Sequence, residues 1–350
     1  MEIYTMQQGI PQKSSSNRRQ IFQTVGLLLV LGLAIHFLLP QVKSFRQAFE
    51  IISHMKWQFI ILAILAETIS YFGVGYSMHA LSAIYRQKLS ILNGIIIFIA
   101  GSSVGLVAGG MFGTIISIAH WTRNQLSDLK TASVLGILPS FLNTAFITFL
   151  SLFSLTHLLI VHELSKLEII IFTVVLMILF VIVGFVIWGM RYHGQFLNDL
   201  HRLTVWLKTK LHRPLDSEDI VDKTRQAFLA LDEIRNGKWH LPLSGALIYI
   251  AFDNLALFFL FFAAGHPISI LEVLAGYGLP LLMGKAAFIL PGGLGIVETT
   301  MTAIFSGYGV PGSTAFAVVL VYRFLSFWFT TIMGFILVIY LNHMTTRQTE

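Results

Sequence analysis

Residues 289–298 read ILPGGLGIVE. A proline and three glycines interrupt an apolar stretch, and a carboxylate, Glu298, follows at once. Proline and glycine weaken helices, and a charge is costly inside a bilayer. A stop at Pro291 and a tight turn through Gly292, Gly293 and Gly295 predict a broken helix whose second part begins near Leu294. Such backbone is tolerated at membrane depth only where protein or water surrounds it. The first turns of the new helix carry unpaired N–H groups and a positive dipole end, which suit an anionic group such as a lipid phosphate.

The surrounding composition places this break in a membrane. The 350 residues are 55% hydrophobic and 11% charged, against about 25% charged in soluble domains. Mean hydropathy is +0.77. There is no cysteine, which excludes disulfides, thiolate catalysis and cysteine-ligated zinc. The net charge of +6 reads as basic cytoplasmic loops, not a nucleic-acid surface.

A crossing helix needs about 20 apolar residues. Full spans are expected at 21–39, 57–81, 131–156, 167–190, 241–264 and 315–341. Two glycine-rich apolar stretches, 90–121 and 270–309, differ in kind. As one straight helix the first would measure about 48 Å, too long for one crossing and short for two. The polar loop 191–240 carries nine lysines and arginines, from Arg191 to Lys238. It and the N-terminal tail, with Lys13, Arg18 and Arg19, are expected in the cytoplasm. Both sit inside if 90–121 enters and leaves on one side. The expected fold is therefore an all-α polytopic membrane protein of about six full transmembrane helices plus two re-entrant helical hairpins, opening to opposite sides. Inverted repeats of secondary transporters have this arrangement. Residues 1–20 form a cytoplasmic tail, 21–341 the transmembrane domain and 342–350 a second cytoplasmic tail, in a multi-pass cell-membrane protein. Phe45, Phe49 and Ile52 predict an interfacial helix before the second span. Amphipathic helices are expected over 195–212 and 217–236.

The charged residues inside the spans are the site candidates. Glu298 suits a cationic substrate group or a helix end, or pairs with Lys285 or Arg323. Arg323 lies too deep in the last span to snorkel. Glu67 and Asp253 are mid-span and are expected to line a cavity or to be paired. Lys285 sits in the inbound arm of the second hairpin. Gly101, Gly105, Gly109 and Gly113 recur every four residues and predict close helix contact. Gly109 and Gly110, with Gly113, form the counterpart of the second break. His36, His79 and His120 lack ligand spacing, so no metal or other cofactor is expected. Neither a P-loop nor a zincin motif occurs.

LPGGLGIVE, followed by VYRFLSFWFTTIMG at 321–334, resembles the flippase-like membrane domain of the lysylphosphatidylglycerol synthase/flippase family, also called the multiple peptide resistance factor family. Pro291, Gly292, Gly293, Gly295, Glu298 and Arg323 match its signature. The resemblance implies translocation of a polar-headed, anionic or aminoacylated phospholipid such as lysyl-phosphatidylglycerol, with a role in cationic peptide resistance. In the first hairpin the family's proline and glycine-glutamate pattern is replaced by GGMFGTIISIAHWTR at 109–123, which implies a different lipid chemistry there. Full-length members also carry a soluble transferase domain. This chain ends soon after its last span, so phosphatidylglycerol lysyltransferase activity is not expected of it. The alternatives are a role in lipid aminoacylation and a non-transporting partnership with a separate synthase. A homo-oligomer is compatible with the sequence, and a nucleic-acid partner is not expected.

Overall fold

The computed structural model describes residues 42–107, 110–126, 129–161, 191–211, 239–286 and 290–349, with isolated positions at 177, 184 and 188. The expected spans 21–39 and 167–190 and the helix expected over 217–236 lie outside these stretches, single positions apart. The chain divides into two compact units, Met1–Lys43 and Ser44–Glu350, and the description below concerns the second. No strand occurs among the described residues.

The helices are α1 (Val42–Ser53), α2 (Trp57–Ile84), α3 (Ile91–Val107), α4 (Met111–Leu126), α5 (Leu129–Val161), α6 (His193–Leu211), α7 (His240–Ala263), α8 (Ile270–Ala286), α9 (Ile296–Gly307), α10 (Gly312–Arg323) and α11 (Thr330–Thr349). A 3₁₀ turn at Pro291–Gly293 joins α8 to α9, and a π-helical segment, Phe324–Phe329, joins α10 to α11. Four stretches are long and apolar enough to cross a membrane: Trp57–Ile84, Thr131–Leu158, His240–Ala263 and Gly312–His343. They coincide with the four expected spans that fall among the described residues.

Side-chain placement fits a lipid solvent. On α2, Ile61, Leu62, Ile64, Leu65, Ile69 and Phe72 point outward. Its buried face holds Ala63, Ala66, Glu67, Ser70, Gly73 and Ser77. Large apolar residues outside and small or polar ones inside is what helix packing in a bilayer requires, because lipid tails solvate leucine as well as protein does.

The two long glycine-rich stretches are hairpins. The arms α3 and α4 have 17 and 16 residues, and α8 and α9 have 17 and 12. At 1.5 Å per residue, α9 spans about 18 Å, well short of a hydrocarbon core of about 30 Å. Each hairpin turns at glycine in the left-handed region: Gly110 (φ 64°) in the first, and Gly292, Gly293 and Gly295 (φ 63°, 66° and 82°) in the second.

The architecture is two copies of one plan: long helix, hairpin, long helix. The first is α2, α3/α4, α5; the second is α7, α8/α9, α10–α11. The first helices of the copies pack antiparallel. The Lys56 amide donates to the Ala263 carbonyl (2.9 Å) at one end. Further along, Gly73 abuts Gly245. The last helix of each copy packs on the first arm of the other's hairpin. Thr144 meets Lys285 and Ser154 donates to the Ala275 carbonyl between α5 and α8. Ser103 donates to the Thr331 carbonyl (3.2 Å) between α3 and α11. These reciprocal, antiparallel contacts make the arrangement inverted-repeat-like. The second closing helix is interrupted by the π segment before α11, and the first, α5, carries Pro139 in its interior.

Contact between α2 and α7 depends on missing side chains. A Cβ on Gly245 would lie 2.7 Å from both the Gly73 carbonyl oxygen and the Ser77 amide nitrogen. Backbone cannot give way as a side chain can. Gly245→Ala is therefore expected to cost about 1–3 kcal/mol by overpacking. Gly312→Ala, whose nearest contact would be Ser306 Oγ at 3.6 Å, is the control and should change little. Thermal unfolding in micelles reads both; equal midpoints would contradict the close approach.

Candidate functional site

The second break is held by a charge clamp. Pro291 follows the α8 arm, and Gly292 and Gly293 turn the chain. Gly295 precedes α9, and Glu298 stands in the first turn of that helix. One oxygen of Glu298, Oε2, accepts the Gly295 amide at 2.7 Å, so the side chain caps its own helix. The other, Oε1, accepts Arg323 Nε at 2.7 Å. Arg323 comes from the last turn of α10 and its Nη2 also donates to the Gly292 carbonyl at 2.8 Å. Both side chains are buried, 5% and 8% exposed. Phe327, in the π segment, stacks its ring under the guanidinium at 4.2 Å. A planar, five-donor guanidinium is what this double grip requires. The carboxylate beside the break thus has two local duties: it ends the backbone's exposed N–H and it anchors Arg323. Lys285 is not its partner.

A second cluster lies where α2 crosses α7. Glu67 and Asp253 are both buried, 7% and 5% exposed, and face each other across the antiparallel contact of α2 and α7. Tyr277 of α8 donates its hydroxyl to Asp253 Oδ2 at 2.5 Å. Tyr322, next to Arg323, packs its ring edge-on to that of Tyr277, with centroids 6.4 Å apart. Tyr71 and Tyr249 stand four residues from Glu67 and Asp253 on their own helices, with ring centroids 6.1 Å apart. Tyr71 donates to the Ser326 carbonyl of the π segment at 3.3 Å. The four tyrosines were not among the residues singled out from sequence. A legible signal exists for two of them: a tyrosine one helical turn from an intramembrane carboxylate shares its face.

Lys285 stands apart from both clusters. It is in the last turn of α8 with an exposed side chain, and Nζ donates to Thr144 Oγ1 of α5 at 3.4 Å. A cation there complements the helix dipole. In the first hairpin, Gly110 forms the turn, and its amide donates to the Gly105 carbonyl at 2.6 Å. Gly113 is inside α4 and buried, while Gly109 is outside the described residues. Gly101 and Gly105 lie against Ile118 and Thr114 of the opposite arm, the close contact that their spacing predicts. His79 binds the Leu89 carbonyl (2.6 Å) and His120 packs on Trp121. No group of three or more metal-ligating side chains occurs among the described residues.

Fold and site together define a polytopic helical membrane protein with paired hairpins and buried charges at the backbone break. The chain belongs to the lysylphosphatidylglycerol synthase TM region family, whose sequence profile matches residues 23–334. It is similar to the UPF0104 membrane protein PH1989 of Pyrococcus horikoshii, 24% identical over 325 residues, 89% of this chain and 96% of that one. It is also similar to the UPF0104 membrane protein MJ1595 of Methanocaldococcus jannaschii, 27% identical over 199 residues. That match covers 56% of this chain and 58% of the relative. No solved structure matches the chain.

Proposed function

We propose that this protein moves a polar-headed phospholipid between leaflets of the cell membrane, in the manner of a flippase. The observation that carries the reading is the pair of broken hairpins in two antiparallel copies of one plan, with ionisable side chains gathered at and between them. Secondary transporters with inverted repeats bind substrate near the midplane between such elements. The family description, a lysylphosphatidylglycerol synthase membrane region, supports an anionic or aminoacylated phospholipid as substrate. Among the described residues, Glu298 and Arg323 neutralise each other. Lys285 is exposed, with no carboxylate partner there, and is the group that meets the headgroup phosphate.

Reconstitution into liposomes with labelled phosphatidylglycerol and lysyl-phosphatidylglycerol tests this. The protein is expected to accelerate leaflet exchange of at least one of them over empty vesicles. Exchange no faster than in empty vesicles, for both lipids, overturns the reading. Formation of lysyl-lipid from charged tRNA by the same vesicles would instead support a role in aminoacylation. Lys285→Ala is expected to slow exchange of the anionic lipid by roughly tenfold, the equivalent of one charge-assisted hydrogen bond of about 1.5 kcal/mol. Its unfolding midpoint should fall only slightly, since the exposed side chain gives up one long hydrogen bond and a helix-end charge.

A further inference from the structure

The carboxyl pair between α2 and α7 has a property that its role in packing does not explain. Glu67 Oε2 and Asp253 Oδ1 are each buried without a hydrogen-bond donor, although the two acids face each other in the antiparallel register that the Lys56–Ala263 hydrogen bond and the Gly73–Gly245 approach set. Ionised carboxylates only accept. Two of them in contact, away from water, repel and leave their oxygens unsatisfied. A single proton removes both faults: either acid, once protonated, donates to the other.

The groups facing the pair do not substitute for that proton. Tyr71 comes from α2 and Tyr249 from α7; Tyr277 comes from α8, and Tyr322 and Arg323 from α10. The tyrosines are neutral donors. Tyr277 already spends its hydroxyl on Asp253 Oδ2, Tyr71 donates to Ser326, and neither Tyr249 nor Tyr322 donates to Glu67 Oε2 or Asp253 Oδ1. Arg323 lies close enough to Asp253 to act on it electrostatically, but its charge is balanced by Glu298 at 2.7 Å. Among the described residues the pair therefore has donors at its edges and no cation of its own.

We infer that Glu67 and Asp253 together form a proton-binding site that holds one proton between α2 and α7. The site lies at the antiparallel contact of the two repeat copies, so occupancy is linked to that contact. With the proton in place the acids are joined. Without it, two like charges face each other between the helices and favour their separation. Tyr71 ties the same helix face to the π segment that carries Phe327, and Phe327 stacks on Arg323 of the second break. The ligand is a proton, and the inference rests on this geometry whether or not lipid is moved.

Infrared spectroscopy of the full chain in nanodiscs at neutral pH tests it, with unlabelled protein compared with protein carrying ¹³C in the side-chain carboxyl of aspartate or of glutamate. A protonated carboxyl band that shifts with one of the two labels is expected, and the responding label identifies the acid that carries the proton. Glu67→Gln keeps a donor facing Asp253 through its amide, and Asp253→Asn does the same facing Glu67. Each is expected to abolish the band. If a variant does not fold, the labelled wild type decides. Glu298, the remaining buried carboxyl among the described residues, is paired with Arg323 and contributes no such band. A spectrum with no protonated carboxyl, or a band that survives in both folded variants, overturns the inference.

Discussion

Arg323→Ala is expected to destabilise the protein by about 3–5 kcal/mol, the usual result of removing one member of a buried ion pair. The reason is what stays behind. Glu298 keeps the Gly295 amide on Oε2 but loses the donor to Oε1. The Gly292 carbonyl loses its partner, and Phe327 loses the cation over its ring. A buried carboxylate with half its hydrogen bonds is costly. Arg323→Lys should fall between, because one ammonium cannot reproduce the two-pronged grip on Glu298 and Gly292. Adding Glu298→Gln to Arg323→Ala should recover part of the loss. A glutamine oxygen can still accept the Gly295 amide, and no uncompensated charge remains. Unfolding in micelles, followed by tryptophan fluorescence, measures all three. A loss under about 1 kcal/mol for Arg323→Ala would put the pair in the class of solvent-screened surface bridges. That result, or a double variant no more stable than the single, would refute the clamp.

The glycines of the break should respond unequally, and the inequality is the second large effect. Gly292 and Gly293 both have positive φ, so alanine at either costs about 1–2 kcal/mol in backbone conformation. Their surroundings differ. A Cβ on Gly293 would lie 2.4 Å from the Gly284 Cα and 3.0 Å from its carbonyl carbon. That is backbone of α8, and the hairpin arm itself would have to move. A Cβ on Gly292 would meet the far edge of the Phe327 ring at 2.1 Å, which a side-chain rotation relieves. Gly293→Ala is thus expected to add an overpacking cost of about 1–3 kcal/mol to the strain and to abolish function. Gly292→Ala should be milder, and truncating Phe327 to leucine should partly rescue it. Truncating Phe327 should do nothing for Gly293→Ala. Folded yield and unfolding midpoints of the four variants check the order. Equal losses, or rescue of both, would mean that the turn is not packed as described.

Much of this site was legible in the sequence because its determinants are local. The break announces itself in PGGLG, where several residues unsuited to helix interiors fall together in an apolar run. The requirement for positive φ at Gly292, Gly293 and Gly295 follows from the same few residues. The candidate charges were visible too, since an ionisable residue inside an apolar span is rare. Their partners were not. Glu298 had two candidate cations, Lys285 before it in the chain and Arg323 after it. Lys285 instead turns toward Thr144 on α5, because Gly278 of the same arm lies hard against Leu150 and Ser151 and sets how α8 sits on that helix. The tyrosines around Asp253 come from α8 and α10 as well as α7, and no spacing rule links those helices.

What the residues alone determined is therefore the class of protein, the four described spans, and the two places where apolar helices must turn back. Each depends on hydropathy, helix length and backbone freedom within a few turns of chain. Which charges meet was decided only by tertiary structure. Glu67 faces Asp253 because α2 and α7 run antiparallel and touch at Gly73 and Gly245. Arg323 reaches Glu298 because α10 returns beside α9. Long-range pairing of this kind depends on how closely two helix backbones approach and in which direction they run, and a single chain read residue by residue carries neither quantity.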